Sequence, residues 1–269
     1  MIFWITAPII VFYLIFFWRW RKNEQSFYLE DRPIIMGHRG SPTKITENTI
    51  PSFEKSLDQG VEGVELDIRL TQDKKIIVFH DSNLLRLVGV NIDIKDITYK
   101  EMVAHSLKKN KNQTIDVVAP QLEDLLPLFD KAKVINIEIK SDSIFDKGNI
   151  IRPLIDFLDN NNIDHKCIVS CFNPMMIWRL RRQRPQTITG LLYTTRSPLH
   201  GISNMVWSMV CQADNLHIHY DFINSWIVGW AKIKGMRVNT YTINSGNIYK
   251  KAIKAKIDGI FTDNIEYIK

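Results

Sequence analysis

Cysteine is scarce: the 269 residues contain three, Cys167, Cys171 and Cys211. An odd number without zinc or redox spacing excludes a disulfide framework and a thiolate metal site. Cys167 and Cys171 fall on one candidate strand, which at about 3.3 Å per residue sets them about 13 Å apart, too far to bridge. The reading that follows is three buried free thiols in a reducing compartment. Also missing are internal repeats, low-complexity segments and any long run of basic residues, although the net charge is +6 and the pI about 9.1. Such a balance favours an anionic surface or substrate and gives no ground for expecting nucleic acid as a partner. Apolar residues, by contrast, make up 45% of the chain, enough to build the core of one large domain or two small ones.

Charge is missing altogether between Ile2 and Trp18. At about 1.5 Å per residue this apolar run nearly spans a hydrocarbon layer of about 30 Å, so residues 1–22 are expected to form a transmembrane helix that anchors the protein to a lipid bilayer. A buried core helix is the alternative, and Pro8 speaks against the anchor. Trp18 and Trp20 stand where an interfacial aromatic belt would, and the segment has neither the basic start nor the small-residue end of a signal peptide. Arg19, Arg21 and Lys22 follow the run and no positive residue precedes it. The positive-inside rule then puts the remainder, a linker over 23–32 and a domain over 33–269, in the cytoplasm.

From residue 33 onward, short apolar runs alternate with longer helical patterns, which predicts an α/β domain with a largely parallel sheet. Nine candidate strands appear, one more than a TIM (β/α)8 barrel needs. They are "PIIMG", "VELDIRL", "KIIVFH", "VINIEIK", "CIVSCF", "TITGLLY", "DNLHIHY", "RVNTYTI" and "DGIFT". Helical patterns lie over 47–59, 122–131, 150–160, 174–184, 223–234 and 246–255. Residues 81–121, polar and lysine-rich, break the rhythm and read as an insertion laid over one end of the barrel.

In "VELDIRL", Glu65 and Asp67 are two apart on a strand, so both carboxylates point to one face. A buried pair of this kind calls for a shared proton, an arginine or a divalent cation. If the following turn centres on Gln72 and Asp73, Glu65 pairs with His80 and Asp67 with Val78, which sets the histidine beside the carboxylates. Glu138 and Lys140 share a face in "VINIEIK". Carboxylates from two strands suit Mg2+ or Ca2+ better than zinc. In "GHRG", Gly37 and Gly40 would let backbone and ligand approach closely, His38 can move a proton, and Arg39 can fork onto a phosphate. Together these groups suit a divalent cation and an anionic phosphodiester. His217 and His219 form an H-x-H read as structural, because no second ligand cluster accompanies them. "RLRRQR" at 179–184 reads as a solvated helix face. Trp207, Trp226 and Trp230 read as core or as an apolar rim at the barrel mouth.

From Pro33 to the C-terminus the chain resembles the glycerophosphodiester phosphodiesterase family. The motifs that carry the likeness are His38-Arg39-Gly40, "TENT" with Glu47 and Asn48, Glu65-x-Asp67, His80-Asp81, Glu138-x-Lys140, "SCF" ending in Phe172, "YTIN" from Tyr241, and "DGIFTD" over 258–263. The resemblance implies a TIM barrel with a short insertion after the third strand and a divalent metal ion on Glu65, Asp67 and Glu138. It makes His38 and His80 the acid/base pair and gives the phosphate to Arg39 and Lys140. Glu47 and Asn48 become supports of the metal site, and Phe172 and Tyr241 line the substrate pocket. Thr46 replaces the family's proline, Cys171 splits its serine and phenylalanine, and Tyr241 replaces a tryptophan, which bears on substrate size. The implied activity is hydrolysis of glycerophosphodiesters to glycerol 3-phosphate and an alcohol at a membrane surface. A lysophospholipase D acting on lysophospholipids is the alternative, and a non-catalytic phosphodiester-binding protein would be expected to have lost one of these groups.

Overall fold

The computed structural model of the protein describes residues 18–109, 113–195 and 199–268, together with positions 6, 10 and 13. Its strands are β1 (Ile34–His38), β2 (Gly63–Leu70), β3 (Ile76–Val78), β4 (Val134–Ile139), β5 (Cys167–Cys171), β6 (Thr189–Leu192), β7 (Asn215–His219), β8 (Arg237–Tyr241) and β9 (Gly259–Thr262). All but β3 are parallel and close into an eight-stranded barrel, with β1 hydrogen-bonded to both β9 and β2. The helices are α1 (Ile50–Asp58), α2 (Tyr99–Val103), α3 (Leu126–Lys131), α4 (Ile151–Asn161), α5 (Pro174–Gln183), α6 (His200–Cys211), α7 (Trp226–Ile233) and α8 (Gly246–Lys254).

Period-two alternation sorts the strands. In β2, Val64, Leu66 and Ile68 are fully buried in the layer beneath the helices, and Glu65 and Asp67 therefore point into the barrel. Parallel register then sets Glu65 beside Asn136 and Asp67 beside Glu138. The N-terminal end of the barrel is filled by Phe27 and Tyr28 packed with Ile34, Met36, Val134, Ile168 and Ile188. Burial of each such side chain contributes roughly 2 kcal/mol.

The expected transmembrane helix and single-pass anchor are not upheld. Among the described residues no helix is long and apolar enough to cross a membrane, and the cytoplasmic placement built on the anchor goes with it. Most of the apolar run from Ile2 to Phe17 lies outside the described residues. Its tryptophan flank is docked on protein: Trp20 is buried and its Nε1 donates to Ala213 O at 3.0 Å, while Lys234 Nζ donates to Trp18 O at 2.8 Å. Tryptophan satisfies an interface and a groove on a barrel by the same means, an apolar body with one N–H, so the sequence pattern does not separate them. Residues 23–32, read as a linker, are held against the barrel as well. Asn23 N donates to Asp214 Oδ1 at 2.8 Å, and Tyr28 Oη donates to Asn215 Oδ1 at 2.9 Å.

The β2–β3 hairpin differs from its expected register by one residue, pairing Ile68 with Val78 and Leu70 with Ile76. The connection holds three residues rather than two, with Lys74 at φ 62° and Thr71 N donating to Lys75 O at 3.0 Å. Beyond β3 the chain folds its insertion around a separate apolar cluster that includes Phe79, Leu84, Leu87, Ile94 and Met102. Within it α2 carries a capping box between Thr98 and Glu101.

Candidate active site

A cavity of about 340 Å³ opens at the C-terminal ends of the strands, lined among others by His38, Arg39, Glu65, His80, Glu138 and Lys140. Asp67 lies beneath it, fully buried. Glu65, Asp67 and Glu138 each offer an oxygen within 4.8 Å of the others. Asp67 is fixed from below by Asn48, whose Nδ2 donates to Oδ2 at 2.8 Å and whose Oδ1 accepts from Asp67 N at 3.1 Å. Arg39 Nε lies 3.2 Å from Asp67 Oδ2, and Lys140 Nζ lies 2.8 Å from Asp67 Oδ1 and 2.5 Å from Glu138 Oε1.

Three buried carboxylates thus face two cations, and the protonation pattern follows. Burial raises the Asp67 carboxyl, but Lys140 and Arg39 outweigh it and hold it below the usual carboxylate range. Burial and the neighbouring Asp67 push Glu65 up to about 8, and burial likewise raises Glu138. Glu65 Oε2 accepts from Arg39 N at 2.9 Å, whereas Oε1 is buried without a hydrogen-bond partner. An orphaned oxygen beside two further carboxylates is a donor set that fits a hard dication.

The two histidines are oriented alike. His38, at the end of β1, shares a 2.7 Å hydrogen bond between Nδ1 and Asp263 Oδ1, and its Nε2 lies 4.0 Å from Glu65 Oε2. His80 Nδ1 meets Asp81 Oδ1 at 2.7 Å. In both rings Nε2 is left to exchange a proton. Burial lowers the His38 pKa, but the bond to Asp263 and the charge of Glu65 overcome it, and the result lies above the ordinary value. For His80, burial lowers the pKa; Asp67 raises it, Lys140 and Arg39 lower it further, and the result lies below the ordinary value. His80 reaches the cavity because the chain leaves the ladder after Phe79, whose N donates to Asp67 O at 2.8 Å. In the observed register, continued pairing would have turned the ring to the other face.

Glu47 serves the cations rather than the carboxylates. It accepts from Arg39 Nη1 at 2.9 Å and from Arg86 Nη2 and Nη1 at 2.6 and 3.0 Å. Arg86 also donates from Nε to Asp81 Oδ2 at 2.6 Å, so one insertion residue links the supports of His80 and Arg39. The glycines of "GHRG" have a different reason from ligand approach. A Cβ on Gly37 would lie 1.9 Å from Ser56 Oγ, and one on Gly40 2.5 Å from Ser52 Oγ at φ +87°. They seat β1 and its loop against α1. Phe172 and Tyr241 meet edge to face, centroids 6.2 Å apart, on the cavity wall. Arg86, Asn244, whose Nδ2 donates to Asp263 Oδ2 at 2.5 Å, and the cavity-lining Asn136 and His217 were not singled out for the site by sequence reasoning. Asp81 and Asp263 appeared in motifs, adjacent to a histidine and in a terminal "TD", without a role.

The glycerophosphoryl diester phosphodiesterase family model matches residues 38–267. A glycerophosphodiester phosphodiesterase from Caldanaerobacter subterraneus is 30% identical over 240 residues, covering 87% of this chain and 96% of the relative. A glycerophosphodiester phosphodiesterase from Thermotoga maritima has a crystal structure 27% identical at a TM-score of 0.70, covering 88% of this chain and 97% of that one. A phosphodiesterase from Oleispira antarctica, solved with the product sn-glycerol-3-phosphate, gives a TM-score of 0.77 at 22% identity, covering 90% and 96%. With the match extending from His38 almost to the C-terminus, the chain belongs to the glycerophosphoryl diester phosphodiesterase family.

Proposed function

We propose that this phosphoric diester hydrolase cleaves glycerophosphodiesters to glycerol 3-phosphate and a free alcohol, with Mg2+ or Ca2+ held by Glu65, Asp67 and Glu138. The observation that carries the reading is the convergence of three buried carboxylates with two carboxylate-backed histidines in one cavity. When bound, the dication would neutralise charge on the non-bridging phosphate oxygens. Arg39 and Lys140 add positive charge at the same place and orient the diester.

The opposed shifts of the two imidazoles divide their tasks. His38, raised, carries the proton that its Nε2 gives to the leaving alkoxide as the phosphorus–oxygen bond breaks. His80, lowered, takes a proton through Nε2 from the attacking water as the water oxygen bonds to phosphorus. Asp263 and Asp81 hold the tautomers. The test is an assay of choline and glycerol 3-phosphate released from glycerophosphocholine by the purified protein, with either cation and with chelator. Turnover that survives the chelator would remove the metal from the scheme.

A second reading has its own observation. A cavity of about 400 Å³ adjoins the first through Phe172 and is walled by Ile144, Leu191 and Trp207. An apolar space touching the phosphodiester site suits an acyl chain, and lysophosphatidylcholine is the substrate that would report it.

A further inference from the structure

A second cavity, of about 490 Å³, lies at the end of the barrel opposite the candidate active site. It forms where α5 and α6, running back from the mouth, end beside residues 21–23, and its wall includes Arg21, Trp178, Arg181, Arg182, Val210 and Gln212. Two of these cations come from "RLRRQR", the run expected to be a solvated helix face, and the four arginines of that run differ in what they meet. Arg179 donates to Asp146 O, and Arg184 is closed by Asp159 and Asp164. Arg181 Nη1 donates to Asp214 Oδ2 at 2.9 Å, and its Nη2 donates to Arg21 O at 2.6 Å. Arg182 has neither hydrogen bond nor ion pair among the described residues, and its guanidinium lies 5.2 Å from the centroid of the Trp178 ring.

Spacing of three and four along α5 turns Trp178, Arg181 and Arg182 to one side. Asp214, fully buried, answers one charge only, and its oxygens are otherwise taken by Asn23 N at 2.8 Å, Thr189 N at 2.8 Å and Thr189 Oγ1 at 3.0 Å. Once Arg181 is set against Asp214, the exposed Arg21 and Arg182 remain as surplus charge on a wall that holds no acidic side chain among the described residues. Lys22 feels the same excess: burial pushes it down to about 7, with Asp214 opposing and Arg181, Lys234 and Arg19 lowering it further. A concave space edged by two unanswered guanidinium groups attracts an anion, and the planar fork of arginine matches paired phosphate oxygens. Trp178 and Val210 give an apolar wall to whatever the phosphate carries, in a volume within the range of about 300–1,000 Å³ usual for small-molecule sites.

We propose that this cavity is a second anion site, for a phosphate-bearing molecule, with Arg21 and Arg182 supplying the charge and Trp178 the apolar wall. It is independent of the reaction proposed above, because the acids, bases and carboxylates of that reaction stand at the C-terminal ends of the strands, where barrels place their chemistry. Occupancy here serves binding rather than turnover. From Val210 the exposed Val206 and Ile202 continue along α6, so the phosphate could arrive free or as the headgroup of a lipid whose chain follows that stripe.

The test compares the full chain with the double variant Arg21→Gln/Arg182→Gln, whose two side chains are exposed and hold no part of the fold together. In calorimetric titration with inorganic phosphate, the unaltered protein is expected to bind one more phosphate per chain than the variant, and any phosphate taken up at the strand ends is common to both. In cosedimentation with phosphatidylcholine vesicles containing phosphatidylglycerol, binding at least about tenfold weaker in the variant identifies a lipid headgroup as the source. A difference in the first arm alone identifies free phosphate. Lys251→Gln/Lys254→Gln removes the same charge from exposed positions on α8 and should change neither arm. No difference between the protein and the arginine variant in either arm overturns the proposal, and so does an equal effect of the lysine variant, which would mark general charge attraction.

Discussion

At the residue scale the site is a matter of which atom each group has left to offer. His38 and His80 both spend Nδ1 on an aspartate and keep Nε2 free, so replacing either by alanine removes an imidazole proposed to transfer a proton while the carboxylate cluster remains. Activity on glycerophosphocholine is expected to fall by at least about a hundredfold in each variant, with cation binding by calorimetry retained. Arg86 lies outside the cavity lining but ties Glu47 to Asp81. Arg86→Ala should lower kcat/KM about tenfold, the scale of one charge-assisted hydrogen bond lost from the supports of Arg39 and His80, and Arg86→Lys should restore part of it. His217 gives a stability prediction with a definite sign. Its folded pKa is depressed to about 3 against about 6.5 unfolded, so the unfolded state takes up the proton first. This contribution is complete above pH 6.5 and is lost as pH falls toward 3, by about 1.4 kcal/mol per unit. Urea titrations at pH 7 and pH 5 should show a smaller loss of stability for His217→Gln than for the unaltered protein.

At the element scale the hairpin, the insertion and one helix separate what local pattern can and cannot reveal. Period-two alternation was enough to pair Glu65 with Asp67 and Glu138 with Lys140, because a strand leaves no other way for residues two apart to point. The hairpin register was not legible: one extra turn residue with Lys74 in the left-handed region shifts it, and only the departure of the chain after Phe79 returns His80 to the cavity. Helix α6 was missed because "HGISNMVWSMVC" has no charged residue to mark a solvent face. Its Ile202, Val206 and Val210 are exposed, so burial and hydrophobicity disagree there. The insertion has its own apolar cluster, and α2 depends on its cap. Thr98→Ala is expected to cost about 1 kcal/mol, read as a shift in the urea midpoint with activity at saturating substrate preserved.

At the scale of the whole molecule, closure of the barrel brings β1, β2 and β4 side by side and so makes one cluster of groups far apart in the chain. Cation binding to that cluster should stabilise the fold by mass action, about 2.7 kcal/mol at a hundredfold excess over Kd, seen as a rise in Tm with Mg2+ or Ca2+. Since Glu65 is pushed up to about 8, the cation displaces a proton at lower pH, and the rise in Tm should shrink as pH falls from 8 to 6. Glu65→Gln should abolish the rise.

The sequence by itself determined the succession of strands along the chain, the acidic, imidazole and cationic side chains that stand in its motifs, and the face shared by Glu65 with Asp67 and by Glu138 with Lys140, since these follow from local periodicity. Tertiary structure alone decided that Trp20 docks on the barrel, that the glycines of "GHRG" seat α1, and that Asp263 backs His38. Each of those depends on a partner that is distant in sequence, and neither composition nor spacing carries information about which surfaces meet.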